Sequence, residues 1–183
     1  MGKISTPAPV KLIIGFIFKD EGFLIKALGM LRRHFGRIDY ESTVIPFAYT
    51  DYYEKEIGKS LKRKFISFQK LIPSERLAAI KNLTNKIEDK FSQSNSRQIN
   101  IDPGYLTMAK LVLASTKDYS HRIYINKNIF AEITRTYKNK TFQPHEWTYP
   151  DYRSAEYIKI FLQIRNIYSQ QLNQMCPPNP PNY

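Results

Sequence analysis

The sequence contains one cysteine in 183 residues, Cys176, and it lies in a proline-rich C-terminal segment. A single cysteine cannot form an internal disulfide, and no group of cysteine and histidine residues has the spacing of a zinc site. Disulfides belong to oxidising compartments, so we expect a cytoplasmic protein whose stability does not depend on them.

Glycine is also scarce, with seven residues of which no two lie closer than seven positions apart. This spacing excludes the Walker A loop and the G-x-G-x-x-G turn, the two glycine-rich motifs that surround phosphates in many nucleotide-binding proteins. The nucleophile motif G-x-S-x-G is absent as well. The three histidines, His34, His121 and His145, form no H-x-x-x-H pair, which argues against a mononuclear zinc hydrolase.

Long apolar runs are missing. The longest is LIIGFIF at 12–18, with Lys11 before it and Lys19 after it. A membrane-spanning helix needs about 20 apolar residues, so this run predicts a buried strand and no membrane attachment. The first residues show no apolar segment ahead of a cleavage site, and we expect no secretory signal.

Positive charge is abundant, with 28 Lys and Arg residues against 16 Asp and Glu residues and a net charge of +12. Such an excess attracts polyanions. The densest cluster is Lys59, Lys62, Arg63 and Lys64, just after Tyr52 and Tyr53. Basic residues interleaved with aromatic ones favour nucleic-acid binding. A solvated basic edge strand that discourages aggregation explains the same cluster.

Hydrophobic periodicity predicts the secondary structure. The predicted elements are a strand at 10–18, a helix at 23–35, strands at 38–49 and 61–71, a helix at 74–91, a turn at 102–104, strands at 106–115, 121–125, 129–137 and 142–149, and a helix from 154. The order β-α-β-β-α-β-β-β-β-α predicts an α+β fold with a single mixed or antiparallel sheet and helices mainly on one face.

The chain is long enough for one domain with a proper core. We predict a flexible leader at 1–8, a single globular domain at 9–172 and a disordered proline-rich tail at 173–183. No pattern in the sequence predicts an oligomeric state.

Residues of catalytic type concentrate between 97 and 153. Lys110 and Glu132 interrupt apolar strands, and a buried unpaired charge is costly, so we expect them to face a cleft or to pair with each other across neighbouring strands. A structural ion pair on a solvated sheet face explains them equally well. His121 is a candidate base, and the guanidinium of the adjacent Arg122 is a candidate phosphate-binding group. The alternative interpretation is that both are ordinary polar residues at a strand end.

The segment WTYPDYR at 147–153 places three aromatic residues, an acid and an arginine just before a helix. One interpretation is a stacking platform, with an anion-binding arginine near a helix N-terminus. The other is structural: Trp147 and the tyrosines seal the core, and Asp151 pairs with Arg153.

Several blocks resemble a bacterial family known as domain of unknown function 4416. They are KLIIGFIF, AYTDYYEKEIG, LKRKFISF, NIDPGYLTMAKLVLASTKDYSHRIYI, IFAEITRTY and F-x-P-x-EWTYPDYRS, and they span about 11–165. The most specific blocks are NIDPGYL with KLVLAST, and WTYPDYRS. The resemblance implies a single-domain cytoplasmic protein and implies no reaction or ligand. The basic turns NKN and KNK and the proline-rich tail depart from the family pattern.

Three functional hypotheses follow. The first is a protein that binds an anionic ligand, a nucleotide or RNA, on an open sheet face; its residues are Arg63, Lys110, His121, Arg122 and Arg153 for phosphate, and Tyr53 and Trp147 for stacking. The second is a small enzyme acting on a phosphorylated or carboxylated substrate, with Asp102, His121 and Glu132 as acid/base groups and a divalent cation held by Asp51, Glu54 or Asp151. No other cofactor is identifiable. The third is a passive interaction module.

Overall fold

The computed structural model describes residues 2–50, 52–94 and 96–175. Its strands are β1 (Lys11–Phe18), β2 (Ile38–Glu41), β3 (Ile45–Pro46), β4 (Lys62–Phe68), β5 (Ile99–Leu106), β6 (Lys110–Ser115), β7 (Ile123–Asn126), β8 (Ile129–Lys138) and β9 (Thr141–Pro144). Its helices are α1 (Glu21–Phe35), α2 (Glu54–Ile57), α3 (Leu77–Phe91) and α4 (Ala155–Met175).

Within the described ranges, the nine strands form one antiparallel sheet with the order β2-β4-β1-β5-β6-β8-β7; β3 also pairs with β4, and β9 with β8. The predicted α+β class and single sheet are confirmed. Strand β1 lies between β4 and β5, and all eight of its residues are buried. A strand covered on both faces reads as a continuous apolar run, which is why LIIGFIF predicts it.

Different helices cover the two faces of the sheet. Helices α1 and α3 pack on the face that carries Leu12, Ile14 and Phe16 of β1. Helix α4 packs on the opposite face, against Ile13 and Phe65, through aromatic residues such as Tyr157 and Phe161. Two long helices thus share one face, as expected. The part of the second face next to α4 forms the floor of a cavity.

The predicted turn at Asp102-Pro103-Gly104 is wrong, because all three residues lie inside β5. Pro103 is opposite Ile14 of β1, and pairing with β6 begins only at Gly104. A strand segment with one neighbour tolerates a proline, since half of its N–H groups need no strand partner. Asp102 is therefore fixed on the sheet surface, opposite Gly15.

The basic edge-strand interpretation of 59–64 is also wrong. Strand β4 is internal, with β1 on one side and β2 and β3 on the other. Lys62 Nζ lies 2.6 Å from Glu21 Oε1, and Lys64 Nζ lies 3.3 Å from Glu41 Oε2. These acids come from α1 and β2, so sequence spacing did not reveal the pairing.

The C-terminal boundary differs from the prediction. Helix α4 continues through Met175, three residues beyond the expected end of the domain at 172, and 176–183 with Cys176 lie outside the described residues. No helix in the described part of the chain has a stretch long and apolar enough to cross a bilayer.

Candidate functional site

A cavity of about 600 Å³ lies on the sheet face beside α4. Its floor comes from β1, β4, β5, β6 and β8, and its walls come from residues 47–50 with 52–53, from 115–122 and from 149–152. The charged and amide side chains in its lining are Arg63, Lys81, Arg97, Asn100, Asp102, Lys117, Arg122, Glu132 and Asp151.

Arg63 of β4 lies in the floor and is 1% exposed. Its guanidinium packs over the ring of Phe65 at 4.6 Å and near that of Tyr152 at 5.2 Å, and Nη2 donates to the hydroxyl of Tyr152 at 2.6 Å. Gly15 makes room for it, since a Cβ there would lie 2.9 Å from Nη2. Among the described residues, Nε has no hydrogen-bond partner.

The charge of Arg63 is incompletely balanced. In the part of the chain that the structure describes, its nearest carboxylate is that of Asp102, whose Oδ2 lies 4.0 Å from Nη1, beyond hydrogen-bond range. Burial lowers the pKa of Arg63, but the surrounding phenol and carboxyl groups outweigh burial, and the pKa lies above its ordinary value. A cation that stays charged in a poorly hydrated floor makes the cavity attractive to anions.

Asp102 of β5 is held at the centre of the floor. Lys81 Nζ lies 3.3 Å from its Oδ1, and the Asn100 amide donates to its Oδ2 at 2.5 Å. Lys81 also donates to the carbonyl of Ile101 at 3.2 Å. The Asp102 side chain is 25% exposed, so a carboxylate fixed by donors from α3 and β5 remains accessible from the cavity.

Behind this group lies the buried carboxyl of Glu88 on α3. Its Oε1 accepts the backbone N–H of Ile101 at 2.5 Å, and its Oε2 lies 3.4 Å from Arg97 Nη1. Arg97 also pairs with Glu56 of α2 and donates to Asn100 at 3.1 Å. Burial raises the pKa of Glu88 to about 7, with Lys81 opposing the shift.

We expect Glu88 to make stability fall with rising pH. The folded state keeps this proton up to about pH 7, whereas the ordinary pKa is 4.5. The stabilising contribution is therefore fully present below about pH 4.5 and is lost as the pH rises through about 7. In urea denaturation, the free energy of unfolding of Glu88→Gln minus that of the wild type should increase by up to about 3 kcal/mol across this range.

The exposed Glu75→Gln is the matched control and should show no such trend. A difference between Glu88→Gln and the wild type that stays constant from pH 4 to pH 8 would contradict the assignment.

One wall of the cavity is an ion pair between Arg122 and Glu132. Arg122 Nε donates to Glu132 Oε2 at 2.8 Å, Nη1 donates to Ser115 Oγ at 2.7 Å, and Nη2 donates to the Tyr149 hydroxyl at 2.7 Å. His121 Nε2 lies 3.2 Å from the same Glu132 oxygen. Because all three guanidinium nitrogens already donate to protein groups, Arg122 orients Tyr149 and has no free pair of N–H donors for a phosphate.

The mouth of the cavity is rich in tyrosine. Tyr49, Tyr52, Tyr119 and Tyr149 line it and are 42 to 55% exposed. Lys117 Nζ lies 4.4 Å from the centre of the Tyr52 ring and donates to its hydroxyl at 3.1 Å. This hydrogen bond raises the pKa of Lys117, which therefore stays cationic.

The structure brings together six of the residues singled out from the sequence. Tyr53, Arg63, Asp102, Arg122, Glu132 and Asp151 line the cavity. Lys110, His121, Trp147, Arg153 and Glu54 do not line it. Asp51 lies outside the described residues.

The expected pair between Lys110 and Glu132 does not form. Lys110 is opposite Thr136, and Glu132 is opposite Leu113. Lys110 shares a face of β6 with Val112, and Val112 packs with residues of α3 on the side of the sheet away from the cavity. Arg122, which precedes β7, supplies the cation that Glu132 needs.

Trp147 has a structural role. Strands β7 and β9 both pair with the same edge of β8 and leave a gap between Ala131 and Arg135. Trp147 Nε1 donates to the Ile133 carbonyl at 2.9 Å, and Thr148 Oγ1 donates to the Thr134 carbonyl at 2.6 Å. The Trp147 ring stacks with the rings of His121 and His145, at centroid distances of 5.4 and 4.7 Å.

Arg153 bonds to the backbone of the loop that precedes it. Nε donates to the carbonyl of Thr148 at 2.8 Å and Nη2 donates to that of Glu146 at 2.8 Å, so the side chain closes the loop that carries Trp147. The anticipated Asp151–Arg153 pair is absent from the ion pairs of the described residues. Asp151 instead faces the cavity, and burial raises its pKa.

Sequence reasoning missed Lys81, Arg97, Asn100 and Lys117. Lys81 and Glu88 both lie on the buried side of α3, where charged residues are unusual, and this irregularity in the apolar stripe was the available signal. Lys117 lies in the loop between β6 and β7, and this loop meets Tyr52, 65 residues away in the chain, only because of the order of the strands in the sheet.

The described residues contain no group of three or more His, Cys, Asp or Glu side chains that could hold a metal ion. Of the three carboxylates suggested for a cation, only Asp151 lines the cavity within the described ranges.

A family model described as "Domain of unknown function (DUF4416)" matches residues 8–168, and the chain belongs to this family. No curated protein was found that matches the chain, and no solved structure was found that does so.

Proposed function

We propose that this member of the DUF4416 family binds a small anionic molecule with an aromatic ring, of which a nucleotide is the best match. The observation that carries the proposal is Arg63, a fully buried cation in the cavity floor that has an unpartnered Nε and no carboxylate within hydrogen-bond distance in the described residues.

The charges of the lining support this proposal. Within the described ranges, five cations and three carboxylates line the cavity. Lys81 is balanced by Asp102, Arg97 by Glu56, and Arg122 by Glu132. Arg63 and Lys117 are left as the cations without a closely paired carboxylate among the described residues. A ligand anion would supply the missing negative charge.

The shape and the walls support a ring-containing ligand. A volume of about 600 Å³ lies within the usual range for small-molecule sites. Exposed tyrosines from three separate walls surround the mouth, and tyrosine faces stack on nucleobases. A hollow of this size favours a mononucleotide, or one nucleotide of a strand, over an extended RNA track. A location in the cytoplasm belongs to the same proposal.

The test is calorimetric titration with the four 5′-mononucleotides. We expect binding that weakens with salt, at least about tenfold weaker binding by Arg63→Met, and a smaller loss for the exposed Lys117→Ala. Lys138→Ala removes an equal charge from the exposed end of β8 and should bind like the wild type. Absence of binding by all four nucleotides, or equal losses in Lys117→Ala and Lys138→Ala, would contradict the proposal.

A second candidate function is acid/base catalysis on the bound molecule. Asp102 and Asp151 both line the cavity, and both stabilise the charged form of Arg63 electrostatically. Burial raises the pKa of Asp151. One accessible carboxylate with one carboxyl of raised pKa is a usual base and acid pair. Incubation with each nucleotide followed by chromatography tests it, since unchanged nucleotides would remove this candidate.

A further inference from the structure

Polarity changes with depth in the cavity. Arg63, Lys81 and Asn100 are all buried, and they lie with Asp102 on or beside the sheet floor. The mouth carries the exposed rings of Tyr49, Tyr52, Tyr119 and Tyr149, and its one exposed cation among the described lining residues, Lys117, is held on the ring and hydroxyl of Tyr52. A molecule with one charged end and one aromatic end therefore fits in one direction, with its charged end at the floor.

The floor is backed by helices. Its strands pack on their other side against α1 and α3, and where residues 99–103 of β5 have no strand partner on the β6 side in the described part of the chain, Lys81 and Glu88 of α3 bond to them instead. No chain can continue through a sheet backed by helices. A charged group that reaches Arg63 must therefore stand at the end of its molecule.

The floor also contains a fixed acceptor. Asp102 keeps 25% of its side chain exposed after Lys81 and Asn100 have donated to it. A carboxylate repels an anion whose outer oxygens carry no proton, and it accepts a hydrogen bond from an oxygen that does. A phosphate monoester loses its last proton near pH 6, so near this pH part of it retains a P–OH group. A phosphodiester has none.

On these grounds, and resting on the proposed function, we propose that the cavity selects a terminal phosphate monoester. The phosphate lies between Arg63, Lys81 and Asp102, and the attached ring lies among the mouth tyrosines. Arg63 supplies the charge, and Asp102 is the specificity-determining residue that distinguishes monoester from diester. The monoester can belong to a free nucleotide or to the phosphorylated end of a nucleic-acid strand.

The deciding experiment compares ligands with the same ring and sugar on the wild-type protein. Calorimetric titration at pH 6.0 uses each 5′-mononucleotide, its 3′,5′-cyclic counterpart and the nucleoside. We expect the monoester to bind at least about tenfold more tightly than the cyclic diester, and the nucleoside most weakly. Equal binding of monoester and diester overturns this inference and leaves the proposed function intact. No binding by any of the three kinds of ligand overturns both.

Two further experiments test whether the phosphate belongs to a free nucleotide or to a strand end, and whether Asp102 determines the preference. Dinucleotides with and without a 5′-phosphate show whether a strand end is accepted; binding confined to free mononucleotides assigns the site to these. Asp102→Asn removes the repulsive charge with little change in shape, and its monoester preference should fall to about twofold or less. A preference that stays tenfold in a folded Asp102→Asn protein overturns the role of Asp102. If that variant does not fold, the wild-type comparison alone decides the inference.

Discussion

Arg122→Ala is expected to destabilise the protein by about 3–5 kcal/mol, because it leaves Glu132 as an uncompensated buried charge. Glu132 is 3% exposed, and its remaining partners are Thr134 Oγ1, which donates at 3.1 Å, and His121. The mutation also removes the donor that orients the Tyr149 hydroxyl. The loss is measured as the difference in unfolding free energy in urea at pH 7.

A double-mutant cycle identifies the cause. Arg122→Met combined with Glu132→Gln removes both charges and keeps most of the volume, so the double variant should be more stable than Arg122→Met alone. Arg32→Ala is the control, since Arg32 pairs with Glu41 on the surface and its removal should cost about 1 kcal/mol or less. A loss of unfolding free energy for Arg122→Ala as small as that for Arg32→Ala would show that the buried charge of Glu132 does not need Arg122 as its partner.

Gly104→Ala is expected to be the second severely destabilising change. A Cβ at this position would lie 2.4 Å from the backbone oxygen of Val112 and 2.7 Å from Leu113 Cδ2. The first of these atoms belongs to the backbone of β6 and cannot rotate away, so β5 and β6 must separate where they pair. We expect a loss of about 3 kcal/mol or more, at the upper end of the usual cost of overpacking.

Gly29→Ala provides the matched control. Gly29 lies on the exposed side of α1, and a Cβ there meets no atom within 4 Å. Replacing a helical glycine by alanine should stabilise the protein by about 0.5–1 kcal/mol. Thermal denaturation of the two variants should therefore shift in opposite directions, and a shift in the same direction would contradict the steric account of Gly104.

The elements with strong periodicity were predicted well. The run LIIGFIF predicts β1 because burial on both faces leaves no position for a polar residue, and the apolar stripes of α1 and α3 predict their buried faces. The local rule for turns failed at Pro103 and Gly104, because Gly104 is required by the close approach of β6 and not by a turn.

The candidate site was predicted in part. Four of its residues were recognised on different grounds: Glu132 as a charge within a predicted strand, Arg63 in a basic cluster, Asp102 in a predicted turn and Arg122 at a strand entry. They line one cavity. Their partners were not predicted. Lys81 reaches Asp102 from α3, and Tyr152 reaches Arg63 from a position 89 residues away.

The amino-acid pattern by itself determined the class of fold, the central buried strand, the faces of the main helices and the family, because these depend on periodicity and local composition. Only the tertiary structure decided which charges neutralise one another and which remain for a ligand. Ion pairing depends on distances of a few ångströms between residues far apart in the chain. These distances depend on strand order and register, and no local pattern in the sequence encodes them.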